Sequence, residues 1–242
     1  MLLLAGCGQP WKTDPNVSRP DDPVSGPVLA RNIAGLMADL DERVAKGGLP
    51  GAAKDQMIAE YLDRTLAGID PQRVPDDECW QFGDAYRLKG EWKVAMQLYQ
   101  RAVASAKDED RSVNDRLRLA RAMAHFGEHE NAIKTARSTF EASPTNKAPI
   151  LMAVLYEIVP EAKGKGADKE YAQLLLDAVR QHQETIVDAN SPEGAAFLET
   201  RVVHIRAAYI LAASMLSVAD EQDAARTAIE DAQKAAAAVT KI

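Results

Sequence analysis

Residues 79–102, CWQFGDAYRLKGEWKVAMQLYQRA, decide the fold. Phe82, Gly83 and Tyr86 recur at helical spacing, Gly90 interrupts the run, and Trp92, Ala95, Tyr99 and Ala102 resume it at intervals of three and four. That order of signals spells a helix, a tight turn and a second helix folded back on the first. Gly83 has no Cβ and lets the paired helices approach, Gly90 supplies a turn conformation that side chains resist, and Ala95 is small where the second helix comes nearest. The scheme returns between Arg116 and Pro144. There Leu119, Ala120, Met123, Gly127, Ala132 and Ala136 take the matching places and Pro144 closes the unit. Ser112, with Asp115 three residues later, is the expected N-terminal cap of this second copy.

The spacing resembles that of the tetratricopeptide repeat. The resemblance covers Asp77 to Pro144, and a weaker third match runs from Tyr209 to Ala232, with Ala212 and Ala213 ahead of Ala225, Ile229 and Ala232. It implies an all-α, right-handed solenoid of antiparallel helical hairpins, about ten helices in all, in which each unit buries a face against the next. In this family the first helix of each repeat lines a concave face. Carried over residue by residue, the lining positions are Trp80, Asp84 and Arg87 in the first copy and Leu117, Arg118, Arg121 and His125 in the second. A subset of the family grips a peptide's terminal carboxylate with Lys, Asn and Arg side chains. Trp80 and Asp84 stand where that subset has its first Lys and Asn, so the chain departs from that mode. The expectation is a groove in which Trp80 anchors an apolar side chain while Arg87, Arg118 and Arg121 pair with acidic groups of a protein or peptide partner. The resemblance thus implies a non-enzymatic protein-interaction adaptor or scaffold.

Around this core the chain divides into residues 1–7, a tether over 8–26, and a helical domain over 27–242. Pro27 opens a helix whose apolar face is Val28, Ile33, Leu36, Met37, Leu40 and Val44. Gly47 and Gly48 stop it, and a partner helix follows from Pro50 to Ala67, giving an N-terminal hairpin over 27–68. Pro71 and Pro75 break the chain before the two clear repeats at 77–144. Divergent hairpins fill 145–242. They comprise a helix from Ile150 to Val159 ended by Pro160 and a loose connection over 161–167, a helix capped by Asp168, a long one from Ser191-Pro192-Glu193 to Val218, and a last one from about Glu221.

Leu4-Ala5-Gly6-Cys7 resembles the bacterial lipobox, in which the cysteine thiol receives diacylglycerol and becomes the new N-terminus. That resemblance implies lipid attachment at Cys7 and a place in the bacterial cell envelope facing the periplasm. Gly8 lacks the aspartate associated with inner-membrane retention, which favours the outer membrane. No later stretch reaches the run of about 20 apolar residues that a spanning helix needs, so membrane attachment is expected only at the N-terminus. Cys79 is then left as a buried thiol, the rival arrangement being a Cys7–Cys79 disulfide. A soluble adaptor without lipid, and a helical accessory domain of an envelope-polymer hydrolase, are the alternative readings.

The 242-residue chain carries a formal charge of -7 with no cluster of Lys and Arg, which argues against a nucleic-acid groove. Phosphate-cradling, nucleophile-elbow and paired Cys-x-x-Cys motifs are missing, and no cofactor, catalytic residue, metal or small-molecule substrate is expected. Of the four histidines, His125 and His129 flank the turn at Gly127 without a shared face, His182 lies at the core edge of its helix, and His204 is expected to be exposed. Glu128 and Glu130, and the run Asp108-Glu109-Asp110, read as solvated surface.

Overall fold

The structure, a computed structural model, describes residues 24–239, and every regular element among them is helical. Helices α1 (Gly26–Ala45) and α2 (Gly51–Leu66) form the first hairpin. Two 3-10 turns, Pro71–Arg73 and Asp76–Glu78, carry the chain through the proline break into α3 (Cys79–Leu88) and α4 (Trp92–Ser105). The pair α5 (Glu109–His125) and α6 (His129–Arg137) follows. Next comes one rod made of α7 (Ala148–Ala153), a π-helical turn (Val154–Ile158) and α8 (Val159–Ala162), then α9 (Asp168–Glu184), α10 (Pro192–Val218) and α11 (Gln222–Val239). With the rod taken as one, there are ten helices among the described residues. Most pack on their neighbours in the chain, but α1 rather than α2 provides most of the contact with α3, and the rod packs on α5 and α9 rather than on α6.

Two hydrophobic cores result, and α5 is the wall between them. Leu119 and Ala122 on one side of α5 join Leu29, Leu40, Leu62, Phe82, Leu98 and Tyr99, whereas Val113, Leu117, Ala120 and Ala124 face Ile150, Val154, Tyr171, Leu175 and Ile205. Burying each large apolar side chain stabilises the fold by about 1.5–3 kcal/mol, so a helix with two apolar faces is held by both halves. Cys79 is one of these core residues; it has no disulfide partner among the described residues, and burial pushes its thiol above its ordinary pKa. Cys7 and the lipobox lie outside the described residues.

Three hairpin turns repeat one hydrogen-bond pattern. At α3–α4, Gly90 adopts φ 87°, its N–H bonds Arg87 O at 2.9 Å and Glu91 N bonds Tyr86 O at 2.9 Å. At α5–α6, Gly127 adopts φ 76° with bonds to Ala124 O at 3.1 Å and from Glu128 to Met123 O at 3.0 Å. At α10–α11 the left-handed place is taken by Asp220, φ 63°, with bonds to Ser217 O at 3.3 Å and from Glu221 to Leu216 O at 2.8 Å. In each turn the glutamate carbonyl then accepts the first helical bond, from Ala95, Ala132 and Ala225 respectively. These alanines are buried. A Cβ on Gly83 would lie 2.6 Å from Cε1 of Tyr99, so the ring fills the space that glycine leaves open.

Several local expectations are corrected. The folded body begins before Pro27: Gly26 is buried and its N–H donates to Glu78 Oε2 at 2.7 Å. Asp108, not Ser112, caps α5, its carboxylate accepting from Arg111 N at 2.8 Å, while Asp115 sits buried within the helix. The α6 helix ends at Arg137, seven residues before Pro144, which opens a separate 3-10 turn (Pro144–Asn146). Pro160 lies inside the rod rather than ending it. Its ring has no N–H and would crowd the carbonyl four residues back, and the helix widens just before it, Val159 N–H reaching Val154 O. Asp168 is the first residue of α9 and the preceding Ala167 offers no side-chain cap. Ser191 does cap α10 as expected, accepting from Gly194 N at 2.9 Å.

His182 is fully buried, not at the core edge. Its ring lies 4.7 Å from that of Phe197, and neither nitrogen finds a hydrogen-bond partner among the described residues. Burial, with Arg201 and His204 nearby, pushes its pKa down to about 4. The unfolded chain therefore binds a proton between the ordinary histidine value and about 4 that the folded chain refuses.

Two outcomes are expected. Asp220→Gly relieves the left-handed strain of a residue with a Cβ at some cost in unfolded-state entropy, for a net gain of about 0.5–1 kcal/mol, read as a higher urea midpoint. The contribution of His182 is fully present above the ordinary histidine pKa and lost as pH falls toward about 4, the loss reaching about 2 kcal/mol at pH 5. His182→Leu should accordingly narrow the gap between urea midpoints at pH 7.5 and pH 5; an unchanged gap would show that His182 protonates freely in the folded state.

Candidate functional site

The residues expected to line a groove come together on one face, built from α3, α5 and the α7–α8 rod. Trp80, Asp84 and Arg87 follow one another at helical spacing on α3, and Arg118, Arg121 and His125 do so on α5. All six are half-buried. Leu117 is not part of the face: it is buried in the core shared with α7 and α9.

Hydrogen bonds organise the α3 end. The Tyr99 hydroxyl donates to Asp84 Oδ1 at 2.7 Å, and Arg118 Nε donates to Asp84 Oδ2 at 3.2 Å. Burial and the adjacent Asp84 carboxylate push the Tyr99 phenol well above its ordinary pKa, so it stays a donor. Arg118 also reaches Asp115 Oδ1 at 3.2 Å, and its guanidinium covers the Trp80 ring 4.4 Å from the centroid. Asp115 is fully buried and accepts from Arg111 as well. Burial pushes its carboxyl above the usual range, and the two guanidinium groups pull it only partly back.

At the other end the rod supplies carboxylates. Arg121 donates to Glu157 at 3.0 Å and lies 3.7 Å from Glu161, which also meets His125 Nδ1 at 2.9 Å. The His125 ring stacks flat on Trp92, centroids 3.9 Å apart and 8° from parallel. Between the two ends Asp84, Arg87, Tyr99, Arg118, Arg121 and Glu157 enclose a polar pocket of about 120 Å³. The Nε atoms of Arg87 and Arg121 are buried there without a hydrogen bond, although Arg87 Nε remains 3.9 Å from Asp84.

This arrangement changes the expected chemistry. Arg118 and Arg121 are not free guanidinium groups awaiting a partner, since each already holds two carboxylates of its own chain. Three arginines face four carboxylates, so the face is mixed in charge rather than cationic. Trp80, likewise, is an aromatic plane with a cation on it and not a bare apolar anchor. Glu157 and Glu161 were missed as site residues. Their spacing of four marks one helical face, but that signal counts only if the helix continues through Pro160.

The remaining candidates scatter. His129 turns to Tyr171 and the Lys165 carbonyl while His125 turns to Trp92 and Glu161, so the two do not converge. His204 is half-buried, not exposed, and bonds the Tyr156 hydroxyl at 2.9 Å. A larger cavity of about 870 Å³ lies among α6, α9 and the α10–α11 turn and includes none of the expected groove residues. The chain matches no family model, and a search of curated proteins returned no significant similarity.

Proposed function

We propose that this chain is a non-enzymatic protein-interaction adaptor, a right-handed solenoid of tetratricopeptide-like hairpins held in the bacterial cell envelope by a lipid on Cys7. The observation that carries the adaptor reading is the face on α3 and α5. Trp80, three arginines and a histidine stand there half-buried, with Trp92 stacked on the histidine from the start of α4, and ion pairs, cation–π contact and stacking orient them. Aromatic and arginine side chains held rigid beforehand lose little entropy on binding and dominate protein interfaces. Support for the repeat reading comes from the three like turns and from the small residues at Gly83, Ala95, Ala120, Ala132, Ala213 and Ala225. The partner that suits the face carries both charge signs and an apolar or aromatic group. Its basic groups meet Glu157 and Glu161, and its acidic group meets Arg87.

The anchor reading rests on Leu4 to Cys7 and the Pro-, Asp- and Ser-containing segment behind it. A clickable fatty acid supplied to the native cell should label the protein. Cys7→Ser should abolish the label and release the chain from the membrane fraction with its thermal melt unaltered. A wild-type chain that takes no label is a soluble adaptor instead.

For the groove, a partner recovered by affinity capture should dissociate faster from Trp80→Ala by an amount worth at least ~2 kcal/mol. Arg121→Ala should mainly slow association and flatten its salt dependence. Arg118 is left in place in these tests, because its loss would leave the buried Asp115 with Arg111 alone. Equal binding by wild type and the Trp80→Ala, Arg121→Ala double variant would remove this face as the site.

A further inference from the structure

Helix α10 carries apolar residues on its outer as well as its inner face. Its inner face, including Ile205, Ala208, Ala212, Met215 and Leu216, is buried against α9 and α11. The outer face has no neighbour among the described residues. An 18-residue window of this helix has mean hydropathy 1.3 and is only 33% buried. On the outer face Ala196, Val203 and Ile210 recur every seven residues, with Thr200 between the first two and Ser214 beyond the last, while Ala207 stands at the edge, half-buried against the core. Val203 is 64% and Ile210 47% exposed. This is the seam pattern of a helix that packs on another helix.

The charges beside the seam say which helix. Glu199 and Arg206 are exposed at its edge, stand four residues before and three after Val203, and form no ion pair among the described residues. In an antiparallel pair of α10 helices crossing at Val203, Glu199 of each copy falls beside Arg206 of the other. The same register sets Val203 against Val203 and lays each Ile210 over the small Ala196. A patch whose apolar, small and charged positions are all related to themselves by one two-fold axis is what an isologous dimer requires. A lipid surface offers Glu199 and Arg206 no such partner, and charges are costly in hydrocarbon.

We propose that a second copy of this chain occupies the outer face of α10, in an antiparallel two-fold dimer centred on Val203. The seam from Ala196 to Ser214 is about 28 Å long and one helix wide, which is small for a stable interface. The dimer is therefore weak, with a dissociation constant on the order of 10 µM.

The test is sedimentation equilibrium on the full chain carrying Cys7→Ser, so that no lipid contributes, from about 1 to about 500 µM. A reversible monomer–dimer equilibrium is expected. Val203→Arg sets two like charges together on the axis and should weaken it at least tenfold. Glu199→Arg and Arg206→Glu should each weaken it alone, whereas a one-to-one mixture of these two variants should dimerise as well as the parent, because every cross-copy pair is then of opposite sign. All three positions are exposed, so thermal melts should match the parent. A chain that stays monomeric throughout, or a dimer that none of the variants alters, overturns the proposal. Single-charge variants whose mixture remains monomeric overturn the antiparallel register. Flotation of the monomeric chain with phosphatidylglycerol vesicles, lost in Val203→Arg, assigns the face to lipid and overturns it too.

Discussion

The contact between Gly83 and Tyr99 links the fold to its candidate site. A whole tyrosine ring is buried between α3 and α4 because α3 presents no side chain at the point of contact. The hydroxyl at the end of that ring must then find a partner, since a buried O–H without one carries its full desolvation cost. It finds Asp84, one residue along from the glycine. Asp84 in turn accepts from Arg118 on the next hairpin, and Arg118 spreads over Trp80. A packing requirement inside one hairpin thus fixes the charge and aromatic arrangement of the face between two hairpins.

Asp115 is the costly member of this network. A carboxylate with no exposed surface is tolerated only when it is paired, and Arg111 and Arg118 grip it from either side along α5. Its raised pKa shows that attraction does not fully offset desolvation. What the arrangement supplies is orientation. One end of the Arg118 guanidinium is held by Asp115 and another by Asp84, and in that orientation it lies over Trp80. The far end of the face depends on a different device, the π-helical turn ahead of Pro160. By letting the helix run on through the proline, it keeps Glu157 and Glu161 on one side of a continuous rod, within reach of Arg121 and His125.

The cores follow from the same economy of surface. A single hairpin cannot bury both of its faces, and α5 solves this for the chain as a whole by giving Leu119 and Ala122 to one core and Val113, Leu117, Ala120 and Ala124 to the other. At the end of the chain α10 is left with an apolar outer face and no further hairpin among the described residues to cover it.

The sequence by itself determined the helices, the turns at Gly90 and Gly127, and the close approach at Gly83, because spacing, a missing Cβ and a left-handed φ are properties of a few adjacent residues. Helical spacing put Trp80, Asp84 and Arg87 on one side of their helix and Arg118, Arg121 and His125 on one side of theirs, and only the resemblance to the tetratricopeptide repeat implied that the two sets line a common face. It placed Leu117 there wrongly, a one-residue error that turns a side chain by about 100° into the core. The helix through Pro160 and the left-handed Asp220 ran against residue preferences, whereas the cap at Asp108 is a local one that aspartate favours and that the choice of Ser112 passed over. What only the tertiary structure decided is which charges are already satisfied. Glu157 and Glu161 come within reach of Arg121 and His125 from more than thirty residues away. No local pattern records that meeting, because an ion pair is made by distance in space and the chain encodes only distance along itself.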